Sequence, residues 1–285
     1  MKRKFGKRVV AYMTAMTMCV AMMTGCGSND GGEEICVISR EDGSGTRDAF
    51  TELLEIMEDD VDNTTVNAEI TNSTSVMMTT VAGNTEAIGY VSLGSLNDSV
   101  KAIKVDGVEA TTDNVSCGDY TVARPFNIVT GDEVSENAQD FIKFIMSEEG
   151  QTIVSEEGYI SVESMGKYNP SGLTGSVTLA GSTSVAPVME KIAEKYMELN
   201  EGMTIEIQQS GSGAGITSTI EGVCDIGMSS RDLKDTEIAE GVSAKTIAMD
   251  GIAVIVNVDN QVENLTSEQI KNIFVGEITN WSEVQ

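Results

Sequence analysis

Ile35-Cys36-Val37-Ile38-Ser39-Arg40-Glu41-Asp42-Gly43-Ser44-Gly45-Thr46 is the stretch on which the reading of the chain turns. Its first four residues are apolar and rich in β-branched side chains, which predicts a strand. Gly43 and Gly45 around Ser44 predict a tight turn, and Ala49, Phe50, Leu53, Leu54 and Met57 then recur at helical spacing. The same design occurs twice more. Val177-Thr178-Leu179-Ala180 passes through Gly181-Ser182-Thr183-Ser184 into Val185, Val188, Ile192, Tyr196 and Leu199. Met203-Thr204-Ile205-Glu206-Ile207 passes through Ser210-Gly211-Ser212-Gly213-Ala214-Gly215 into Ile216 and Ile220.

Each of these turns delivers a helix N-terminus flanked by hydroxyls and small residues. A helix start presents unpaired backbone N–H groups and the positive end of the helix dipole, and glycine lets a ligand come close to the backbone. One such turn alone reads as an ordinary N-cap, because Ser and Thr are common there. Three of them, one carrying Arg40 four residues before Ser44, suit convergence on one small oxyanion. None is a P-loop, since GxxxxGK[ST] does not occur, and Ile216 spoils a GxGxxG reading that starts at Gly211.

Composition narrows the chemistry. The 285 residues include 45 Asp+Glu, 18 Lys+Arg and no histidine, for a formal net charge of −27. Nucleic acid is excluded as a partner, because affinity for it comes largely from Lys and Arg neutralising phosphates. The missing histidine removes Ser-His-Asp and Cys-His nucleophile pairs, the HExxH zinc helix and any imidazole acid or base. Binding is left ahead of catalysis. At about 150 residues per domain the length suits two domains.

A small anion remains compatible with so acidic a chain. With a Debye length of about 8 Å at physiological salt, most surface carboxylates are screened from a buried ligand. Charge-assisted hydrogen bonds contribute roughly 1.5–3 kcal/mol each, so six or seven outweigh the ~8 kcal/mol that micromolar binding represents.

The first 25 residues read as a leader rather than as part of the fold. Lys2, Arg3, Lys4, Lys7 and Arg8 precede a mostly apolar stretch from Val9 to Met23, which is short of the ~20 residues a membrane span needs. It ends in Met23-Thr24-Gly25-Cys26, which resembles a bacterial lipoprotein signal and makes Cys26 the expected lipid attachment site, with residues 26–32 as a flexible tether. Removing five basic and no acidic residues makes the processed chain still more negative. Cys36, Cys117 and Cys224 remain, an odd number, so a full disulfide framework is excluded.

Several segments together resemble the phosphate-binding lipoprotein of the ABC phosphate transporter, the PstS type. They are Arg40–Thr46, Gly181-Ser182-Thr183-Ser184-Val185-Ala186-Pro187, Gly211-Ser212-Gly213 and Asp225-Ile226-Gly227-Met228-Ser229-Ser230-Arg231, supported by Ala87–Ser92, Arg124-Pro125-Phe126, Asp250–Val254 and Ile278-Thr279-Asn280-Trp281. The resemblance implies an α/β, two-lobed periplasmic-binding-protein-like (type II) fold with the ligand in the cleft between lobes. It implies an extracytoplasmic, lipid-anchored binding protein that captures inorganic phosphate and delivers it to an ABC permease, with no enzyme activity, cofactor or metal. Its phosphate ligands fall on Arg40, Ser44, Gly45, Thr46, Thr183, Ser184, Ser212 and Ser230. At Ser230 the best-known branch has an aspartate that accepts the proton of hydrogen phosphate, so another oxyanion such as sulfate stays open. A surface sensor or interaction protein that has lost transport is a further alternative.

The order of these segments departs from that family. There the Thr183-like segment comes near the mature N-terminus and the Arg40-like segment follows the Trp281-like one, whereas here the Arg40 segment comes first. The chain therefore resembles a circular permutant, with the family's old ends joined through residues 167–175 and the new ends side by side. The implied lobes are residues 33–118 plus 260–285, and 119–259, with hinge crossings near 120–129 and 250–259. Arg231 is open between a second cation for the ligand and a solvated surface residue.

Overall fold

The computed structural model describes residues 33–59 and 61–284; the leader, Cys26 and the tether lie outside them. In chain order the elements begin with β1 (Cys36–Arg40), α1 (Gly45–Leu53), β2 (Met57–Glu58), β3 (Val61–Asp62), β4 (Glu69–Thr71), α2 (Thr74–Ala82) and β5 (Ala87–Ser92). Next come β6 (Val100–Ala102), β7 (Lys104–Val105), α3 (Thr112–Cys117), β8 (Ala123–Thr130), α4 (Glu136–Ile145), α5 (Glu148–Glu156) and β9 (Ile160–Ser161). After an irregular stretch follow β10 (Gly175–Gly181), α6 (Ala186–Leu199), β11 (Met203–Gln209), α7 (Ser212–Ile220), β12 (Ile226–Ser229) and α8 (Asp235–Ile238). The chain finishes with β13 (Ser243–Asn257), β14 (Asn264–Leu265) and α9 (Ser267–Val275).

The main sheet runs in the order β11-β10-β12-β8-β13-β5-β1-β4. Parallel pairs lie at both ends, β10 with β11 and β12, and β1 with β4 and β5, as strand–helix–strand connections require. The antiparallel strands β8 and β13 lie between them. The 15-residue β13 spends its first part against β8 and its second against β5 and β6, so it passes through both halves of the sheet. All six residues of β5 are buried, the pattern expected of a strand covered on both faces.

Two hydrophobic cores flank the crossing. One collects residues from Ile35 to Val122 and from Ile252 to Trp281, and the other residues from Phe126 to Ala248. In the first, Phe50 of α1 stacks on Tyr90 of β5 at 4.0 Å and meets Phe274 of α9 edge-on at 4.8 Å. Tyr90 carries this packing to the chain's functional end, since its hydroxyl bonds the Ser39 Oγ at 2.9 Å and accepts from the Arg40 N–H at 3.2 Å. Burial pushes the Tyr90 hydroxyl pKa up to about 12, which keeps it neutral and able to serve both partners.

In the second core, Tyr168 and Tyr196 donate to the buried Asp140 carboxylate at 2.6 and 2.8 Å, joined by Ser171 Oγ at 2.9 Å. Residues 168–171 are thereby fastened onto α4 and α6 instead of hanging as a free linker. The segments 33–35 and 279–281 also meet. Ile35 N donates to Thr279 O at 2.8 Å and Trp281 N to Glu33 O at 3.0 Å, around an antiparallel bridge between Glu34 and Asn280. Cys224 is buried, Cys36 is half-buried in β1 and Cys117 is exposed, with no disulfide among the described residues.

Candidate functional site

Three helix starts meet where the two halves of the sheet face each other. The first belongs to α1, whose N-cap Ser44 accepts from Arg47 N–H, leaving Gly45 and Thr46 in its opening turn. The second precedes α6, where Ser182 Oγ accepts from the N–H groups of Ser184 and Val185 at 3.2 and 3.3 Å. The third opens α7 at Ser212, after Gly211 with φ of 87°, a left-handed conformation that a residue with a Cβ rarely adopts.

The structure brings all eight sequence-predicted residues into this one place. Arg40 Nη2 donates to Thr183 Oγ1 at 3.1 Å, and Thr46 Oγ1 bonds Ser184 Oγ at 2.9 Å. Ser230 N–H donates to Ser212 Oγ at 3.1 Å, and the two hydroxyls lie 3.3 Å apart. Gly45 links these clusters, because a Cβ there would stand 2.4 Å from Ser212 Oγ and 2.8 Å from Ser230 Oγ. The backbones close on each other as well, with Gly213 N donating to Gly43 O at 3.0 Å.

Arg40 is 2% exposed and carries its own counter-charge. Glu41 grips it through two oxygens, Oε2 on Nε and Oε1 on Nη2, both at 2.8 Å. Such a fork fixes the guanidinium plane. The rest of the cluster is hydroxyl and backbone: Ser39, Ser44, Thr46, Thr74, Ser182, Thr183, Ser184, Ser212 and Ser230 are all buried. A set of neutral donors around one guanidinium favours a small, acceptor-rich anion.

Sequence reasoning missed several members. Ser182 Oγ donates to Ser230 Oγ at 2.9 Å, and Thr74, the first residue of α2, lies 3.2 Å from both Thr183 Oγ1 and Ser184 Oγ. The signal for Thr74 was present in Asn72-Ser73-Thr74, an N-cap pattern without glycine. Arg231 takes neither of the roles left open for it. It is buried, donates through Nε to Asp48 Oδ2 of α1 at 2.8 Å and forks onto Glu237 of α8 at 2.8 and 2.7 Å. These carboxylates hold the Arg231 guanidinium pKa above its ordinary value against the opposing effect of burial. The pair with Asp48 spans the cleft beside the hydroxyl cluster.

Gly45→Ala tests how tightly the two faces meet. The added methyl collides with two short, buried hydroxyl side chains that have little room to retreat, and such overpacking costs about 1–3 kcal/mol. Anion affinity measured by titration calorimetry should fall about tenfold to a hundredfold. Wild-type affinity in the variant would show that the faces do not close to this distance.

Comparison with known proteins agrees with this architecture. The sequence profile of the PBP superfamily domain matches residues 28–149 and 168–285. The chain is 48% identical over 277 residues to the phosphate-binding protein PstS 2 of Streptococcus agalactiae, covering 94% of each chain. It is 45% identical over 254 residues to the protein of that name from Streptococcus pneumoniae, covering 87% of each. A crystal structure of a phosphate ABC transporter, phosphate-binding protein from Streptococcus pneumoniae TIGR4 superposes with a TM-score of 0.71 at 45% identity, over 89% of this chain and 100% of that one. The segment order met here is thus shared with relatives that align along nearly their whole length. The profile, these relatives and the shared fold agree: the chain belongs to the PstS-type solute-binding proteins of the PBP superfamily.

Proposed function

We propose that this chain is the extracytoplasmic, lipid-anchored receptor that captures inorganic phosphate and hands it to an ABC permease. The observation that carries the reading is the convergence of three helix starts and one buried arginine on a single cluster of hydroxyls. Arg40 would supply the positive charge, Ser44, Gly45 and Thr46 the start of α1, Thr183 and Ser184 that of α6, and Ser212 and Ser230 the α7 side. The names of the streptococcal relatives, all phosphate-binding proteins, point to the same ligand. The two cores favour lobes close to the expected ones, with the division shifted so that 33–122 plus 252–285 face 126–248, swinging about β8 and β13.

Titration calorimetry on the purified protein tests this. Phosphate should bind one to one with micromolar affinity or better, and the absence of phosphate binding would sink the reading. A second reading keeps the cleft and changes the anion, because among the described residues Ser230 Oγ bonds the hydroxyls of Ser182 and Ser212 and no carboxylate. A hydroxyl accepts a hydrogen bond from hydrogen phosphate but does not repel sulfate as a carboxylate does. Sulfate in hundredfold excess should leave phosphate binding in place; displacement at equal concentrations would favour the broader oxyanion reading.

A further inference from the structure

Within the hydroxyl cluster, Thr74 stands between two pairs. On one side Thr183 Oγ1 accepts from Arg40 Nη2 at 3.1 Å; on the other, Ser184 Oγ bonds Thr46 Oγ1 at 2.9 Å. Thr74 Oγ1 lies 3.2 Å from each of these two α6-side hydroxyls, and its N–H points at Thr183 Oγ1 from 3.4 Å. It belongs to the half that carries Arg40, whereas Thr183 and Ser184 belong to the half that carries α6, so it reaches across the cleft. Side chains on both sides of this contact are buried, Thr74 at 5% exposure and Ser184 at 1%.

A hydroxyl has one proton and two acceptor lone pairs. It donates to an anion only when its own proton is free for that use, and its neighbours decide this by occupying its lone pairs. Thr183 Oγ1 already accepts from Arg40, and the Thr74 N–H approaches its second lone pair. The Thr183 proton is then directed away from both. In the same way, a proton donated by Thr74 Oγ1 to Ser184 Oγ leaves the Ser184 proton for Thr46 or for a ligand.

We propose that Thr74 is a positioning residue of the anion site: its hydroxyl donates to Ser184 Oγ and so frees the Ser184 proton for an oxyanion, while its backbone N–H, with Arg40, occupies the lone pairs of Thr183. This rests on the phosphate reading above and deepens it. The role requires the hydroxyl itself, whereas a role in packing or in starting α2 requires only a β-branched side chain of this size.

The test compares wild type, Thr74→Val and Thr74→Ser by phosphate titration, with the thermal midpoint of each protein recorded without phosphate. Valine keeps the shape and removes the hydroxyl; serine keeps the hydroxyl. Thr74→Val should bind phosphate about tenfold to a hundredfold more weakly, the scale of one charge-assisted donor, with its phosphate-free midpoint unchanged. Thr74→Ser should bind within about threefold of wild type. Binding by Thr74→Val at wild-type strength would overturn the proposal, as would equal weakening in both variants with a lowered midpoint, which would make Thr74 structural. If wild type itself takes no phosphate, the functional reading fails rather than the placement of Thr74.

Discussion

Replacing Arg40 by alanine should weaken phosphate binding by at least two orders of magnitude while the protein stays folded. Two effects add. The first is loss of the buried guanidinium that donates to Thr183 in the hydroxyl cluster. The second is release of Glu41, whose carboxylate is gripped at 2.8 Å through both oxygens and would then face the same cleft unpaired. Truncating one member of a buried, hydrogen-bonded charge pair costs about 2–5 kcal/mol, and here the residual charge has the sign that repels the ligand. Arg40→Lys should fall between, because it keeps the charge and loses the planar fork. Calorimetric titration decides the matter, with far-UV circular dichroism confirming the fold. Wild-type phosphate affinity in Arg40→Ala would remove Arg40 from the site.

The second large effect concerns stability and lies where β13 leaves β8 for β5. Arg124 of β8 and Asp250 of β13 are register partners, and Arg124 Nη2 donates to Asp250 Oδ2 at 3.3 Å with both side chains buried. Ser92 of β5 donates to Asp250 Oδ1 at 2.9 Å, so one carboxylate ties three strands together at the crossing. Arg124 Nε and Nη1 find no hydrogen-bond partner among the described residues, although the guanidinium lies 5.3 Å from the Phe126 ring centre. Asp250→Ala removes the carboxylate altogether and leaves both that cation and Ser92 Oγ without this partner. Breaking a buried pair in this way costs about 3–5 kcal/mol, which a urea unfolding midpoint at pH 7 will register.

The same carboxylate gives stability a pH signature. Burial pushes Asp250 up from its ordinary 3.8 to about 6, against the opposing influence of Arg124. The native state then holds the Asp250 proton more tightly than the unfolded chain does. Its contribution is fully present below about pH 4 and is lost as the pH rises through about 6. The stability margin of wild type over Asp250→Ala should therefore widen from pH 7 towards pH 4. A margin independent of pH would show that Asp250 titrates at its ordinary value.

The three helix starts were legible in sequence because their signals are local: a Gly/Ser turn before an apolar helical pattern announces an N-cap wherever it occurs. Naming Ser44, Gly45, Thr46, Thr183, Ser184 and Ser212 as anion ligands took the family resemblance as well. Arg231 was not legible, since Ser229-Ser230-Arg231 does not tell that the arginine reaches Asp48, 183 positions earlier in the chain. Thr74 was passed over for a similar reason: its helix start is ordinary and gains meaning only from Thr183 and Ser184 opposite. Among the strands, the apolar run from Ile252 to Val256 announced itself. The earlier half of β13, Ser243 to Asp250, mixes Lys, Thr and Asp with apolar residues and is made a strand by pairing with β8.

Ser230 and Arg231 are neighbours in one short segment, one in the hydroxyl cluster and the other bridging to Asp48 on the opposite half. If the halves part as proposed, the ion pair and the Ser230 contacts to the Gly45 face must separate together, which would bind an anion's escape to the rupture of a charge pair. Salt then acts unequally on the two directions of exchange. It screens the acidic surface that an arriving anion must cross, whereas the largely buried Asp48–Arg231 pair is screened much less. Under the proposed hinge opening, arrival would depend on salt and departure, held by this pair and the other bonds across the cleft, would barely do so.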